Sequence, residues 1–217
     1  MFLRNPLSST LRPYRLLLAM LLCAQCASAL ADASGPLGID RRLGYDESAM
    51  WSANTLKTIE VASAALLVSA AVYEGNNGRL GKTVWKSVDA MLLGDLTAAI
   101  GKAAFRRQRP IDGNDPNAFF QSSADTSFPS GEMTHITAIV TPFILEYQKD
   151  LPAIWLLGAI PAYVAAGKLK TQAHWQTDIL AGAVLGIGAG WWAHQRDSAW
   201  TATVLPGGFS IGYRKSF

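Results

Sequence analysis

The sequence is short of cysteine, of charge and of long apolar runs, and each shortage removes a class of explanation. Its two cysteines, Cys23 and Cys26, both fall within the first 31 residues. That opening stretch reads as an export signal: Arg4, Arg12 and Arg15 precede the apolar run Leu16–Leu22, and Ala27-Ser28-Ala29-Leu30-Ala31 supplies small residues at A-x-A spacing. The apolar core before Gln25 is shorter than the ~20 helical residues that cross a hydrocarbon layer. Cleavage after Ala31 leaves a body, residues 32–217, without a thiol, which excludes disulfides, thiolate metal sites and cysteine nucleophiles. Lipidation is disfavoured, because Cys26 follows Gln25 and Cys23 follows Leu22, where a small residue is required.

Only 16% of residues are charged. Three of the 19 Lys/Arg are the arginines of the opening stretch, so the body carries 16 basic against 16 acidic residues. A balanced body argues against a nucleic-acid partner, whose affinity comes mainly from neutralising phosphates. The chain has neither an internal repeat nor a low-complexity segment, and its 50% hydrophobic content, with 7 Trp, 8 Phe and 6 Tyr, is enough for one packed domain.

Helical periodicity and breakers predict five core helices. The first runs over Asn54–Tyr73 and stops at the Glu74–Gly78 turn. The second runs from about Lys82 or Ser87 to Arg107 and ends before Pro110, since the residue preceding a proline is pushed out of helical space. A long polar loop, Ile111–Pro129, separates it from a third helix over Ser130–Gln148. The fourth covers Leu151–Leu169 and the fifth Trp175–His194. The tail changes period, with Thr201–Val204 and Phe209–Tyr213 flanking Pro206-Gly207-Gly208 as a β-hairpin. The expected fold is all-α, a bundle of about five core helices with a short C-terminal hairpin. The apolar stretches Val61–Val72, Ile154–Ala166 and Ile179–Ala193 each fall short of about 18 uninterrupted residues, which favours central packing in a soluble or membrane-apposed bundle.

Three clusters carry chemistry. In Lys102-Ala-Ala-Phe-Arg-Arg-Gln-Arg109-Pro110 two cations lie about two helical turns apart, close enough to converge on one anion, with Arg supplying a planar fork and Lys a point charge. In Phe128-Pro129-Ser130-Gly131-Glu132 a helix entrance leaves backbone N–H groups free to cradle an anion, with the Ser130 hydroxyl as a further donor and Gly131 admitting close approach. In Gly167-Lys168-(five residues)-His174-Trp-Gln-Thr-Asp178 a carboxylate four residues after a histidine can accept the Nδ1 proton and leave Nε2 free to attack. His135, His174 and His194 are the only histidines, fall on different predicted helices and have no ligand spacing, so no metal site and no cofactor is expected.

Joined in order, Lys-x6-Arg-Pro, Pro-Ser-Gly and Lys-x5-His-x3-Asp resemble the signature of the type-2 phosphatidic acid phosphatase superfamily, which includes bacterial acid phosphatases and vanadium haloperoxidases. The resemblance spans Lys102–Asp178 and, as a helical plan, most of residues 54–194, so that residues 32–217 form one such domain. It implies His174 as nucleophile and phosphohistidine site, Asp178 as its orienter, and Lys102, Arg109, Ser130, Gly131 and Lys168 as phosphate ligands. The family pattern has His directly after Pro-Ser-Gly as the acid for the leaving oxygen, where this chain has Glu132, and Ser-Arg where it has Gly167-Lys168. Burial and a nearby dianion would raise the proton affinity of Glu132 and let it serve as the acid under mildly acidic conditions. His135, one turn deeper, is the alternative acid. Lysine for arginine at 168 forfeits bidentate clamping, at about 1–2 kcal/mol or roughly tenfold in rate.

These features lead to an exported phosphatase, periplasmic or at the cell envelope and in contact with the membrane, acting on a phosphorylated small molecule or lipid without a metal. The non-enzymatic alternative is a degenerate binder of phosphate or lipid head groups. A vanadium-dependent haloperoxidase, with His174 holding vanadate, is disfavoured by the short chain.

Overall fold

The computed structural model describes residues 35–76, 78–121, 126–196, 200–205 and 207–213; the signal reading of residues 1–31 lies outside them. An extended lead precedes α1 (Ala53–Glu74), α2 (Arg79–Phe105), α3 (Gly131–Tyr147), a 3-10 stretch (Pro152–Gly158) continuing into α4 (Ala159–Lys170), α5 (Gln176–His194) and a hairpin of β1 (Trp200–Leu205) and β2 (Gly208–Tyr213). The all-α bundle expected from the sequence is present, with five α-helices among the described residues. The hairpin pairs antiparallel from Trp200 opposite Tyr213 to Leu205 opposite Gly208.

Local chemistry sets the helix ends. The Ser52 hydroxyl accepts from the Thr55 N–H to open α1, and Gly75, at φ 63°, closes it. The second helix starts at Arg79, earlier than expected, and stops at Phe105 because Arg106 turns left-handed at φ 41° while its N–H bonds Lys102. The fourth expected helix divides at Ala159, where the 3-10 turns begun at Pro152 widen into α4.

α3 is the axis of the bundle, buried without interruption from Met133 to Pro142 between α2 and α5. Its contact with α5 depends on small residues. A Cβ at Gly186 would stand 1.9 Å from Thr137 Oγ1 and 2.3 Å from the Thr134 carbonyl, so only glycine lets the two backbones approach this closely. On the other side Leu67 and Ala71 of α1 pack with Val84, Trp85, Val88 and Met91 of α2 and Ile139 of α3. At the far end Arg79 pairs with Glu146 and Asp150, fastening the start of α2 to the end of α3.

Central packing of the apolar stretches is corrected for two of them. Ala53–Glu74 and Pro152–Lys170 are each long and apolar enough to cross a membrane, yet only 17% and 22% of their apolar windows are buried. Leu66 on α1 and Leu156 on the 3-10 stretch are 71% and 75% exposed. An apolar helix without polar periodicity fits a protein core and a lipid boundary equally, so its composition does not choose between them.

Candidate active site

The end of the bundle where α2 finishes and α3 and α5 begin gathers all three sequence clusters. Lys102 lies in the last turn of α2, and its ammonium donates to the Thr126 carbonyl at 2.9 Å. Arg109 lies beyond the helix, not on it as the spacing implied. The left-handed turn at Arg106 carries it back to the same place, where its guanidinium donates to the Ala173 carbonyl at 3.3 Å while its Nε is buried without a partner. An open cavity of about 300 Å³ is lined by Lys102, Arg109, Gly131 and Glu132, together with Asp95 and Glu60.

Ser130 caps α3: its hydroxyl accepts from the Met133 N–H at 3.4 Å, and the residue is fully buried with its own N–H on the Asp178 carbonyl. Its hydroxyl is engaged in the cap and does not line the cavity. Gly131 does line it, and a Cβ there would meet the Lys102 side chain at 3.4 Å. The N-terminus of α3 thus faces the same space as the two cations, a ready site for an oxyanion.

His174 precedes α5 in the short connection from α4, and Asp178 sits in the first turn of that helix. The Asp178 carboxylate reaches back to accept from the Trp175 N–H at 2.8 Å, which holds the connection against the helix start. Asp178 Oδ2 stands 3.7 Å from His174 Nδ1, outside direct hydrogen-bond range. Ser127 spans this gap, with Oγ 3.5 Å from Nδ1 and donating to Asp178 Oδ2.

On the other edge of the ring, His174 Nε2 lies 3.3 Å from Glu132 Oε2, and Lys168 Nζ donates to Glu132 Oε1 at 2.6 Å. Glu132 therefore stands between the cavity and a histidine only 1% exposed. Burial pushes the Glu132 carboxyl upward, but the hydrogen bond and charge of His174 together with Lys168 outweigh it and hold the group well below the usual carboxylate range. The expectation of a protonated Glu132 is therefore corrected: this side chain is an anion, held by the Lys168 ammonium and the His174 ring. Asp178 is likewise raised by burial but brought down on balance by His174, Arg107 and Ser127. Burial, and then repulsion from Arg109, pushes Lys102 down to about 8, while Glu132 and Asp178 act in the opposite sense.

His135 is turned inward. Its Nδ1 faces both carboxylate oxygens of Asp95 at 3.0 and 3.1 Å, its Nε2 is buried without a partner, and it does not line the cavity. Among the described residues no three His, Cys, Asp or Glu side chains group as metal ligands.

Sequence reasoning passed over Ser127 and a buried ionic cluster behind Asp178. The Arg107 side chain is inaccessible to solvent. It donates to Asp178 at 2.5 Å, to Asp40 at 2.6 Å and to the Thr177 hydroxyl at 2.7 Å, with its guanidinium carbon 4.8 and 5.5 Å from the ring centres of Phe119 and Trp175. In sequence Arg107 is one of three arginines within four residues, and nothing local separates the buried one from its neighbours.

Among known proteins, the chain matches the family model of the PAP2 superfamily over residues 83–202, more than half its length. It is 32% identical over 117 residues to Lipid A 1-phosphatase of Porphyromonas gingivalis, a stretch that is 53% of this chain and 24% of that protein. The chain thus spans about a quarter of that relative's length. The crystal structure of Aquifex aeolicus LpxE aligns with 65% of this chain and 84% of its own, at 17% identity and a TM-score of 0.49.

Proposed function

The chain belongs to the PAP2 superfamily, and from that premise we propose that it is a phosphatase that releases phosphate from a phosphorylated lipid through covalent attack by His174. The observation that carries the reading is the placement of Glu132. One carboxylate touches the attacking nitrogen and the Lys168 ammonium, at the edge of a cavity whose other walls include Lys102, Arg109 and the start of α3. A carboxylate stands at each ring nitrogen, Glu132 by Nε2 and Asp178 behind Nδ1.

A phosphoryl group entering the cavity takes the cations from Glu132, and the Nε2 proton passes to the freed carboxylate. The Nε2 lone pair then attacks phosphorus while the bond to the leaving oxygen breaks, and that oxygen takes the proton from Glu132. In the second half, Glu132 removes a proton from water, the resulting hydroxide displaces Nε2 from phosphorus, and Glu132 returns the proton to Nε2 as phosphate leaves. The acid of the resemblance is thus Glu132, its proton coming from His174 and not from a perturbed carboxyl. Asp178, through Ser127, holds Nδ1 protonated throughout.

A lipid substrate is supported by the name of the Porphyromonas gingivalis relative and by the apolar flanks of α1 and the 3-10 stretch, which suit contact with a lipid surface. Residues 1–31 are proposed as the signal that sends the chain to the periplasm or cell envelope, leaving residues 32–217 as the domain.

The reading is tested by phosphate release from a lipid phosphate in mixed micelles and from nitrophenyl phosphate. The account expects turnover by the full chain, inhibition by vanadate, and loss of turnover in His174→Ala. Equal rates in that variant would support the non-enzymatic alternative or a different nucleophile, and halide oxidation with vanadate would support the haloperoxidase.

A further inference from the structure

The extended lead before α1 lies along the connection that carries His174. Asp40 Oδ1 accepts from the Thr177 N–H at 2.8 Å, and its Oδ2 from the Thr177 hydroxyl and Arg107. Arg41 and Gln176 exchange hydrogen bonds at 2.8 and 3.0 Å. Arg42 donates to the Gln172 side chain at 3.0 Å, Gln172 donates to the Leu43 carbonyl, and the Asp46 N–H reaches the Lys170 carbonyl at 2.9 Å. Residues 40–46 are therefore stitched by five residue pairs to residues 170–177, which bracket His174.

The contact that differs in kind is the buried one. Asp40, Arg107 and Asp178 put two carboxylates on one guanidinium, with all three side chains inaccessible to solvent. A lone buried Arg–Asp178 pair would be neutral and would give the imidazole no net negative charge to lean on. The second carboxylate leaves the cluster with a net charge of about −1, low-dielectric surroundings carry that charge to its neighbours, and Asp178 is the member that turns toward His174.

We propose that Asp40 and Arg107 are positioning residues for the reaction: Arg107 fixes the Asp178 carboxylate behind His174, and Asp40 supplies the charge that keeps Asp178 an effective partner of the imidazole. The proposal rests on the reading of His174 as nucleophile and extends it to a residue 134 positions away in sequence, on a strap that belongs to no helix. Neither residue touches the cavity, so both act through Asp178.

The sign of the effect distinguishes this role from a structural one. The charged groups around His174 are Glu132 from α3, Lys168 from α4, Asp178 from α5, Lys102 from α2 and Arg109 from the loop after it, with Asp95 of α2 and Glu60 of α1 also lining the cavity. Asp40→Asn leaves all of these in place and removes one negative charge from behind Asp178, which disfavours the imidazolium. Because the ring must start with a proton on Nε2 to supply the leaving oxygen, loss of that proton sets an alkaline limb of kcat/KM, which in this variant moves to lower pH. Arg107→Lys keeps the charge and loses the fork, so its limb stays in place while kcat falls.

The experiment is the pH profile of alkyl phosphate hydrolysis by the full chain, Asp40→Asn, Arg107→Lys and His174→Ala, each scaled to its folded fraction from thermal unfolding. The expected result is a downward-shifted alkaline limb in Asp40→Asn, an unshifted limb in Arg107→Lys, and kcat losses of about 10–100-fold in both, below the roughly 10⁴-fold seen when an orienting carboxylate is itself lost. Profiles of unchanged shape with losses that track unfolding alone would overturn the proposal, leaving the cluster as a fold element. Activity retained by His174→Ala would instead overturn the nucleophile assignment on which it rests.

Discussion

The carboxylate of Glu132 reaches to 3.3 Å from Nε2 of His174 and is held there by Lys168. If His174 is the nucleophile, as proposed, an incoming phosphoryl group has to displace this internal carboxylate before it meets the ring. On the same proposal that displacement frees the carboxylate to carry the proton the leaving oxygen needs.

Replacing Glu132 by Gln keeps the shape and abolishes proton transfer. Turnover of an alkyl or lipid phosphate is expected to fall by about 10²–10⁴-fold, the usual weight of a general acid. Nitrophenyl phosphate, whose leaving group departs without a proton, is expected to lose much less in the first step, read as the initial burst of nitrophenol, while the water step common to both substrates slows. Equal losses of first-turnover rate on both substrates would remove Glu132 from the proton path to the leaving oxygen.

Lys168 is 7% exposed and neutralises Glu132. Lys168→Met leaves that carboxylate with His174 as its remaining close partner and takes a cation from the incoming phosphate. The expected consequence is a fall in kcat/KM of about tenfold or more, with Lys168→Arg restoring activity to within about tenfold of the parent, on the scale of a charge-assisted hydrogen bond. Steady-state kinetics on both variants checks this; a methionine variant as active as the parent would contradict it.

Lys102, pushed down to about 8 by burial and by Arg109, loses its proton in the free enzyme within a range that kinetics can reach. Below that pH the cation is present and can hold a phosphoryl oxygen; above it the cradle is one charge weaker. The account therefore expects an alkaline limb in kcat/KM near pH 8 that moves to higher pH in Lys102→Arg, since arginine stays protonated. A limb unmoved by that substitution would have another origin.

The close crossing of α3 and α5 is tested by a pair of glycines. Gly186→Ala drives a methyl into the Thr134 carbonyl, a backbone atom that cannot swing aside, and is expected to cost about 2 kcal/mol, or roughly 4–8 °C in Tm. Gly188→Ala, on the same helix with nothing within 4 Å of the new carbon, is expected to be neutral or mildly stabilising. Thermal unfolding of both separates a packing effect from a change in helix propensity.

The sequence made the helices and the site legible to different degrees. The five helices followed from apolar periodicity and breakers, and their ends shifted where backbone geometry prevailed, as at Arg106, whose left-handed turn ends α2 early. Lys102, Arg109, Gly131, Lys168, His174 and Asp178 were named from motif spacing and meet at one end of the bundle. Ser130 lies there too, but as a helix cap. The charge state of Glu132 was not legible, because it depends on Lys168 and His174, 36 and 42 residues away. Asp40 and Arg107 gave no signal, since their pairing across 67 residues exists only once the lead folds over the helix ends. The exposure of α1 escaped for a similar reason: composition records that a helix is apolar and is silent on what covers it.

The central claim is covalent, and it is tested most directly by quenching the full chain with base during turnover of a radiolabelled phosphate ester and mapping the label. The account predicts a base-stable, acid-labile phosphoryl group on the peptide carrying His174, absent from His174→Ala. Steady phosphate release with no trapped label on that peptide, continuing in the alanine variant, would contradict it.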